Sequence, residues 1–179
     1  MAKFNFIKTK INDLYIIEPT IYGDTRGYFM EAYNKEEFAA AGLTMEFVQD
    51  NESRSAYGVL RGMHRQHTQP QGKLVRVLSG EVYDVAVDLR DGSATYGKWE
   101  GVYLSGDNRR MMYVPEGFAH GFVVTSDAAV FTYKCTRYYH PEDERGFRYD
   151  DPAVGIEWPV PRDKIILSDK DKILPFLDK

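Results

Sequence analysis

Apolar and polar residues alternate with a period of two over much of the chain. Leu74-Val75-Arg76-Val77-Leu78 leads into Ser79-Gly80, and the alternation resumes at Glu81. From there Tyr83, Val85, Val87 and Leu89 fall on one side, and Val82, Asp84, Ala86 and Asp88 on the other. Successive side chains of a strand point to opposite faces, so these runs predict two strands, and the Ser-Gly pair between them predicts a hairpin. Leu14–Ile17, Trp99–Leu104, Arg110–Val114, Gly121–Thr125 and Ala129–Thr136 predict further short strands. Turn formers such as Asp91-Gly92-Ser93, Ser105-Gly106-Asp107-Asn108 and Pro115-Glu116-Gly117 separate them. Many short strands with frequent turns point to an all-β sandwich or barrel, not a parallel α/β sheet.

A helical signature shows once. Asn34 can cap a helix, Glu37 holds the capping-box position, Phe38 to Ala41 continue it, and Gly42 can end it. From Asp151 onward proline and charge dominate, which predicts loops and one short helix. No internal repeat, low-complexity stretch or dividing linker interrupts the chain, so residues 1–179 are expected to form one domain.

Composition narrows the class. With 43% apolar and 28% charged residues the chain reads as a soluble globular protein. Its net charge of −4 argues against a nucleic-acid binder, which usually carries a basic face. One diphosphate ligand stays compatible with it, because an anion needs only a few local Arg or Lys groups. Cys135 is the only cysteine, so no intrachain disulfide can form. The start, Met1-Ala2-Lys3-Phe4-Asn5-Phe6, lacks the apolar run of a signal peptide, and no stretch reaches the length of a membrane span. A cytoplasmic protein is the expectation.

Four histidines stand at 64, 67, 120 and 140. His64 ends Arg61-Gly62-Met63-His64, after the polar run Gln49-Asp50-Asn51-Glu52-Ser53. His120 lies where Pro115-Glu116-Gly117 leads into an apolar strand. Each alone reads as a histidine satisfied by hydrogen bonds. His64, His67 and His120 together would suit a metal site in a barrel, but an odd separation puts His64 and His67 on opposite faces of a regular strand. A turn after His64 would loosen that objection; a metal site is the weaker reading. The same spacing argument places Lys73 and Arg76 on opposite faces, one toward a cavity and one toward solvent.

Taken in order, the segments resemble the family of dTDP-4-dehydrorhamnose 3,5-epimerases over nearly the whole chain. The resemblance rests on Asp24-Thr25-Arg26-Gly27-Tyr28-Phe29, Gln49-Asp50-Asn51, Arg61-Gly62-Met63-His64, Gln71-Gly72-Lys73 and the run Gly80–Asp88. It continues through Pro115–Phe122, Tyr133-Lys134-Cys135-Thr136, Asp151-Pro152, Ile156-Glu157-Trp158-Pro159 and Leu167-Ser168-Asp169-Lys170-Asp171. The resemblance implies a cupin-like jelly-roll barrel with a few short helices, a homodimer, no cofactor, no metal, and a dTDP-linked 4-keto-6-deoxyhexose as substrate. It implies that His64 is the base, Asp171 its carboxylate partner, Lys73 the cation beside the sugar's 4-oxygen and Tyr133 the proton donor across the ring. Arg26, Phe29, Glu31, Gln49, Asn51, Arg61, His120 and Lys170 match positions lining the substrate site, and Tyr139 and Glu144 match its nucleotide end.

The chemistry calls for these residue types on its own. A ketone at C4 acidifies the hydrogens at C3 and C5, because the carbanion left behind is an enolate. An imidazole with a carboxylate partner is a suitable base, and such help contributes about 10²–10⁴-fold. A fixed cation or donor must meet the enolate oxygen; losing one such group costs about 3–4 kcal/mol. Inversion further requires the returning proton to arrive from the other face. Neither a dinucleotide fingerprint nor a P-loop is present.

The chain departs from the family pattern beside the base. Arg65 stands where the family usually has an aromatic residue, and the segment from His64 to Lys73 is one residue shorter. Both bear on substrate fit. The other readings are a mono-epimerase or ketoisomerase on a related sugar, a metal-dependent cupin enzyme, and a non-catalytic sugar-binding barrel. An opposed acid and base speak against the last.

Overall fold

The structure is a computed structural model that describes residues 3–177. Strands β1 (Phe4–Lys8), β2 (Tyr15–Pro19), β3 (Tyr22–Asp24) and β4 (Gly27–Phe29) precede helix α1 (Lys35–Ala40). Then come β5 (Gln49–Ala56), β6 (Leu60–Gln66), β7 (Lys73–Ser79), β8 (Glu81–Asp88) and β9 (Trp99–Ser105). After β10 (Met111–Val114), β11 (Phe118–Val124), β12 (Ala128–Cys135) and β13 (Glu144–Gly146), the tail forms mostly loops and the short helix α2 (Asp169–Lys172).

Two antiparallel sheets face each other in a cupin-like jelly roll. One has the order β1-β2-β10-β7-β12-β5, the other β13-β6-β11-β8-β9, and β3 and β4 form a separate hairpin. Between the sheets, Val75, Val77, Val82, Ala86, Leu104 and Phe131 belong to one buried cluster. Both sheets are covered on their other faces as well. On the six-stranded sheet, Phe38 of α1 packs with Phe4, Ile17, Leu74 and Met111, and it meets Phe4, Phe6 and Tyr33 edge-on. On the five-stranded sheet, Met63, Val85, Val87 and Phe147 are covered by Ile156, Trp158 and Leu177 of the tail. That double covering is why both faces of β8 are apolar.

Asn34 caps α1 as expected, its side chain accepting from the backbone N–H groups of Glu36 and Glu37. The predicted hairpin across Ser79-Gly80 is not formed. The two strands belong to different sheets, and Gly80, at φ +74°, turns the chain from one to the other. A Cβ there would lie 2.0 Å from the Ala128 carbonyl oxygen, so only glycine fits this corner. At the N-terminal end, Phe4–Lys8 pairs with β2 and forms an edge of the six-stranded sheet; Met1 and Ala2 lie outside the described residues.

Candidate active site

A cavity of about 500 Å³ opens between the two sheets. His64, Lys73, His120, Tyr133, Arg61, Lys170 and Asp171 all line it. His64 and His120 come from neighbouring strands and stand directly opposite each other in register. Two glycines permit that approach: a Cβ on Gly62 would come within 2.7 Å of the Gly121 Cα, and one on Gly121 within 2.8 Å of the Arg61 carbonyl oxygen. Lys73 and Tyr133 come from the facing sheet, on β7 and β12.

His64 is held by a residue 107 positions away. Its Nε2 lies 2.6 Å from Asp171 Oδ1, delivered by α2, whose first turn is capped by the Ser168 hydroxyl. With Nε2 so engaged, Nδ1 makes no hydrogen bond among the described residues and is the nitrogen left to accept a proton. Burial pushes the Asp171 carboxyl up, but the hydrogen bond and electrostatic attraction to the His64 ring outweigh this, and the carboxyl sits below its ordinary range. Asp171 is therefore an anion beside the imidazole, suited to fix its tautomer and offset its positive charge.

Across the cavity, burial pushes the Lys73 ammonium below the ordinary lysine range, opposed in part by Cys135, Glu144 and Asp84. The Lys73 Nζ lies 5.9 Å from the centre of the Tyr133 ring. Burial pushes the Tyr133 phenol up, so it is a retained proton donor. Phe131, stacked on Phe122 at 4.2 Å between ring centres, makes the apolar floor.

Beside the base, Glu144 lies 3.8 Å from His64 Nε2, pairs with Lys170 and accepts a 2.6 Å hydrogen bond from Tyr139. That bond pushes the Tyr139 phenol up to about 12. Gln49 accepts from the Tyr139 backbone N–H and donates to Asn51, which donates to the Cys135 thiol at 3.6 Å. Arg61 donates to Ser55.

Seven expected site residues do not line this cavity: Gln49, Asn51, Tyr139 and Glu144, which the contacts above link to one another and through Glu144 to His64, and Arg26, Phe29 and Glu31. Arg26 and Phe29 sit on the β3–β4 hairpin, exposed, with Arg26 paired to Asp24; Glu31 pairs with Lys3 and Asn34. The hairpin packs instead near Arg109, whose guanidinium stacks on Tyr28 at 3.9 Å. Sequence reasoning also missed Asp84, a fully buried carboxylate whose oxygens lie 2.9 and 3.0 Å from His120 Nε2. Its signal was present: Asp84 is charged yet falls on the same strand face as Val82 and Ala86.

His67 lies exposed beyond the end of β6, away from His64, and no group of three or more His, Cys, Asp or Glu that could hold a metal ion occurs among the described residues. Arg65 follows His64 on β6, lies outside the cavity lining, and donates to the Leu89 carbonyl at 3.2 Å.

The family model for dTDP-4-dehydrorhamnose 3,5-epimerase matches residues 8–179. The chain belongs to that family. A dTDP-4-dehydrorhamnose 3,5-epimerase of Methanothermobacter thermautotrophicus is 57% identical over 173 residues, covering 96% of this chain and 94% of the relative. A crystal structure of the Legionella pneumophila dTDP-6-deoxy-D-glucose-3,5-epimerase, in complex with dTDP-4-keto-L-rhamnose, superposes with a TM-score of 0.94 at 54% identity; the match covers 97% of this chain and 92% of that one. The Bacillus anthracis dTDP-4-dehydrorhamnose 3,5-epimerase, with TDP and pyrophosphate bound, gives 0.94 at 44% identity over 97% and 99% of the two chains. No helix among the described residues is long and apolar enough to cross a membrane.

Proposed function

We propose that this epimerase acts on dTDP-4-dehydro-6-deoxy-D-glucose, inverting C3 and C5 to give dTDP-4-dehydro-L-rhamnose. The observation that carries the reading is the opposition of a carboxylate-backed imidazole on one sheet to a lysine and a tyrosine on the other, across one cavity. His64 Nδ1 removes the proton next to the ketone. Lys73 holds the 4-oxygen as it gains charge, and Tyr133 returns a proton to the opposite face of the ring. Asp171 offsets the charge that His64 acquires. After each inversion His64 gives up its proton and Tyr133 regains one from solvent, so the reaction is redox-neutral. It calls on no cofactor and no metal, because an ammonium already serves the enolate oxygen. Arg61, Lys170, Gln49, Asn51, His120, Tyr139 and Glu144 surround the sugar and the nucleotide diphosphate.

Arg26, Phe29 and Glu31 enter this reading through a homodimer. They lie outside the cavity of their own chain, so the hairpin that carries Arg26 and Phe29, with Glu31 just after it, would complete the site of a second copy. A cytoplasmic location belongs to the same reading, supported by a single buried thiol that has no need of an oxidising compartment.

The deciding experiment is turnover of dTDP-4-dehydro-6-deoxy-D-glucose in D2O, in the presence of a chelator. Deuterium incorporated at both C3 and C5 with formation of the L-sugar is the expected result. Label at one carbon alone would make the protein a mono-epimerase, a shifted carbonyl would make it a ketoisomerase, and activity lost to the chelator would overturn the metal-free mechanism.

A further inference from the structure

The base's partner, Asp171, rides on a tail segment held at two ends. At the near end, Leu60 donates its N–H to the Ile166 carbonyl and Ile166 donates to the Gly58 carbonyl. At the far end, Arg148 donates its N–H to the Pro175 carbonyl, and the Leu177 N–H donates to Asp151 Oδ2 at 2.6 Å. Between these anchors α2 presents Lys170 to Glu144 and Asp171 to His64. Four helical residues are too few to be a rigid element by themselves, so the position of Asp171 depends on where the strap is tied.

Asp151 is suited to tie it. It is 2% exposed, although a carboxylate is seldom buried without strong partners. Its two oxygens divide their work. Oδ1 accepts from the N–H groups of Ala153 and Val154 at 2.7 and 3.3 Å, closing its own turn, while Oδ2 takes the tail N–H of Leu177. The Leu177 side chain then packs on the cluster that contains Met63, the residue just before the base. Asp151 lines none of the cavity.

We propose that Asp151 is a positioning residue for epimerisation: it pins the C-terminal strap and thereby holds Asp171 against His64. The inference rests on the proposed role of His64 and Asp171 and adds a remote group that sets their geometry. Misplacing a reacting group by about 1 Å can cost on the order of 100-fold in rate, so a loosened strap is expected to lower kcat about tenfold.

The test is a double-mutant cycle on the full chain with dTDP-4-dehydro-6-deoxy-D-glucose. In Asp151→Asn one oxygen becomes an N–H donor, so the side chain can serve its own turn or Leu177 but not both. Leu177→Pro removes the donor at the other end and leaves Asp151 intact. Each should lower kcat about tenfold, with KM moving much less. In an Asp171→Asn background each should lower kcat further by less than about twofold, because the group being positioned is already lost. Equal loss in both backgrounds, or no loss in either, would overturn the proposal, since a merely structural role gives additive effects. If Asp151→Asn folds poorly, the Leu177→Pro cycle decides alone. Turnover unaffected by Asp171→Asn itself would overturn both this inference and the assignment of Asp171. Normal loss in Asp171→Asn with additive behaviour would overturn this inference only.

Discussion

His64 and Tyr133 stand on different sheets and face the same cavity, the first tied to Asp171 at 2.6 Å, the second beside Lys73. A substrate ring lying between them would have a base on one side and an acid on the other. The jelly roll supplies that opposition through its topology, because neighbouring turns of chain feed alternate sheets. No flexible element has to bring the two groups together.

Removing the base should remove every proton transfer. His64→Asn is expected to lower turnover and solvent exchange at C3 and C5 together, by about 10²–10⁴-fold, the usual worth of acid–base help. Asp171→Asn should cost less, since the imidazole remains but loses its oriented anion. NMR of substrate in D2O measures both. Near-normal exchange in His64→Asn would show that another group is the base.

The pH dependence should identify Lys73. Its cation must be present, and burial pushes its titration below the ordinary lysine range, while burial pushes Tyr133 the other way. Activity should therefore fall as pH rises through the Lys73 value. Lys73→Arg keeps the charge throughout that range, because guanidinium titrates above about 12. Its residual activity should show no such alkaline limb. A limb at the same pH in Lys73→Arg would assign it to another group.

A dimer that shares its sites would show complementation. His64→Asn has an intact hairpin, and a variant carrying Arg26→Ala and Phe29→Ala has an intact base. Mixed dimers of the two would contain one site with neither lesion. Activity of the re-equilibrated mixture should exceed that of either parent, and light scattering should give twice the chain mass. A monomer, or a mixture no better than its parents, would mean the hairpin does not serve a neighbour's site.

Much of the barrel was legible because its strands bury one or both faces. Tyr83, Val85 and Val87 do separate from Val82 and Ala86 by face, and Lys73 and Arg76 do diverge, the first into the cavity and the second to a smaller pocket on the other side of the sheet. Strand β5 was not legible. Its partly buried face is Gln49, Asn51, Ser53 and Ser55, so polarity alternates with polarity and no hydrophobic period survives. The Ser79-Gly80 corner failed for a different reason: a glycine turn reads the same locally whether the next strand returns to its own sheet or crosses to the facing one. Asp171 came from resemblance alone. Nothing local in Asp169-Lys170-Asp171-Lys172 separates a buried carboxylate from solvated charge, and its meeting with His64 depends on the tail being tied back across the barrel.

The division of labour across the ring can be separated by one substitution. Tyr133→Phe keeps the aromatic volume and deletes the phenolic proton. His64 would still take a proton, and Lys73 would still hold the enolate. With no donor opposite, the enolate would be reprotonated mostly by His64, on the face the proton left. Exchange of that proton with solvent between events carries deuterium into substrate of unchanged configuration. The variant should therefore incorporate deuterium at C5 with retention, while net epimerisation falls by about 10²–10⁴-fold. Following both by NMR in one sample gives their ratio without reference to enzyme concentration. If exchange and inversion fall in parallel, Tyr133 acts by shaping the cavity or assisting deprotonation, and the proton that completes inversion comes from elsewhere.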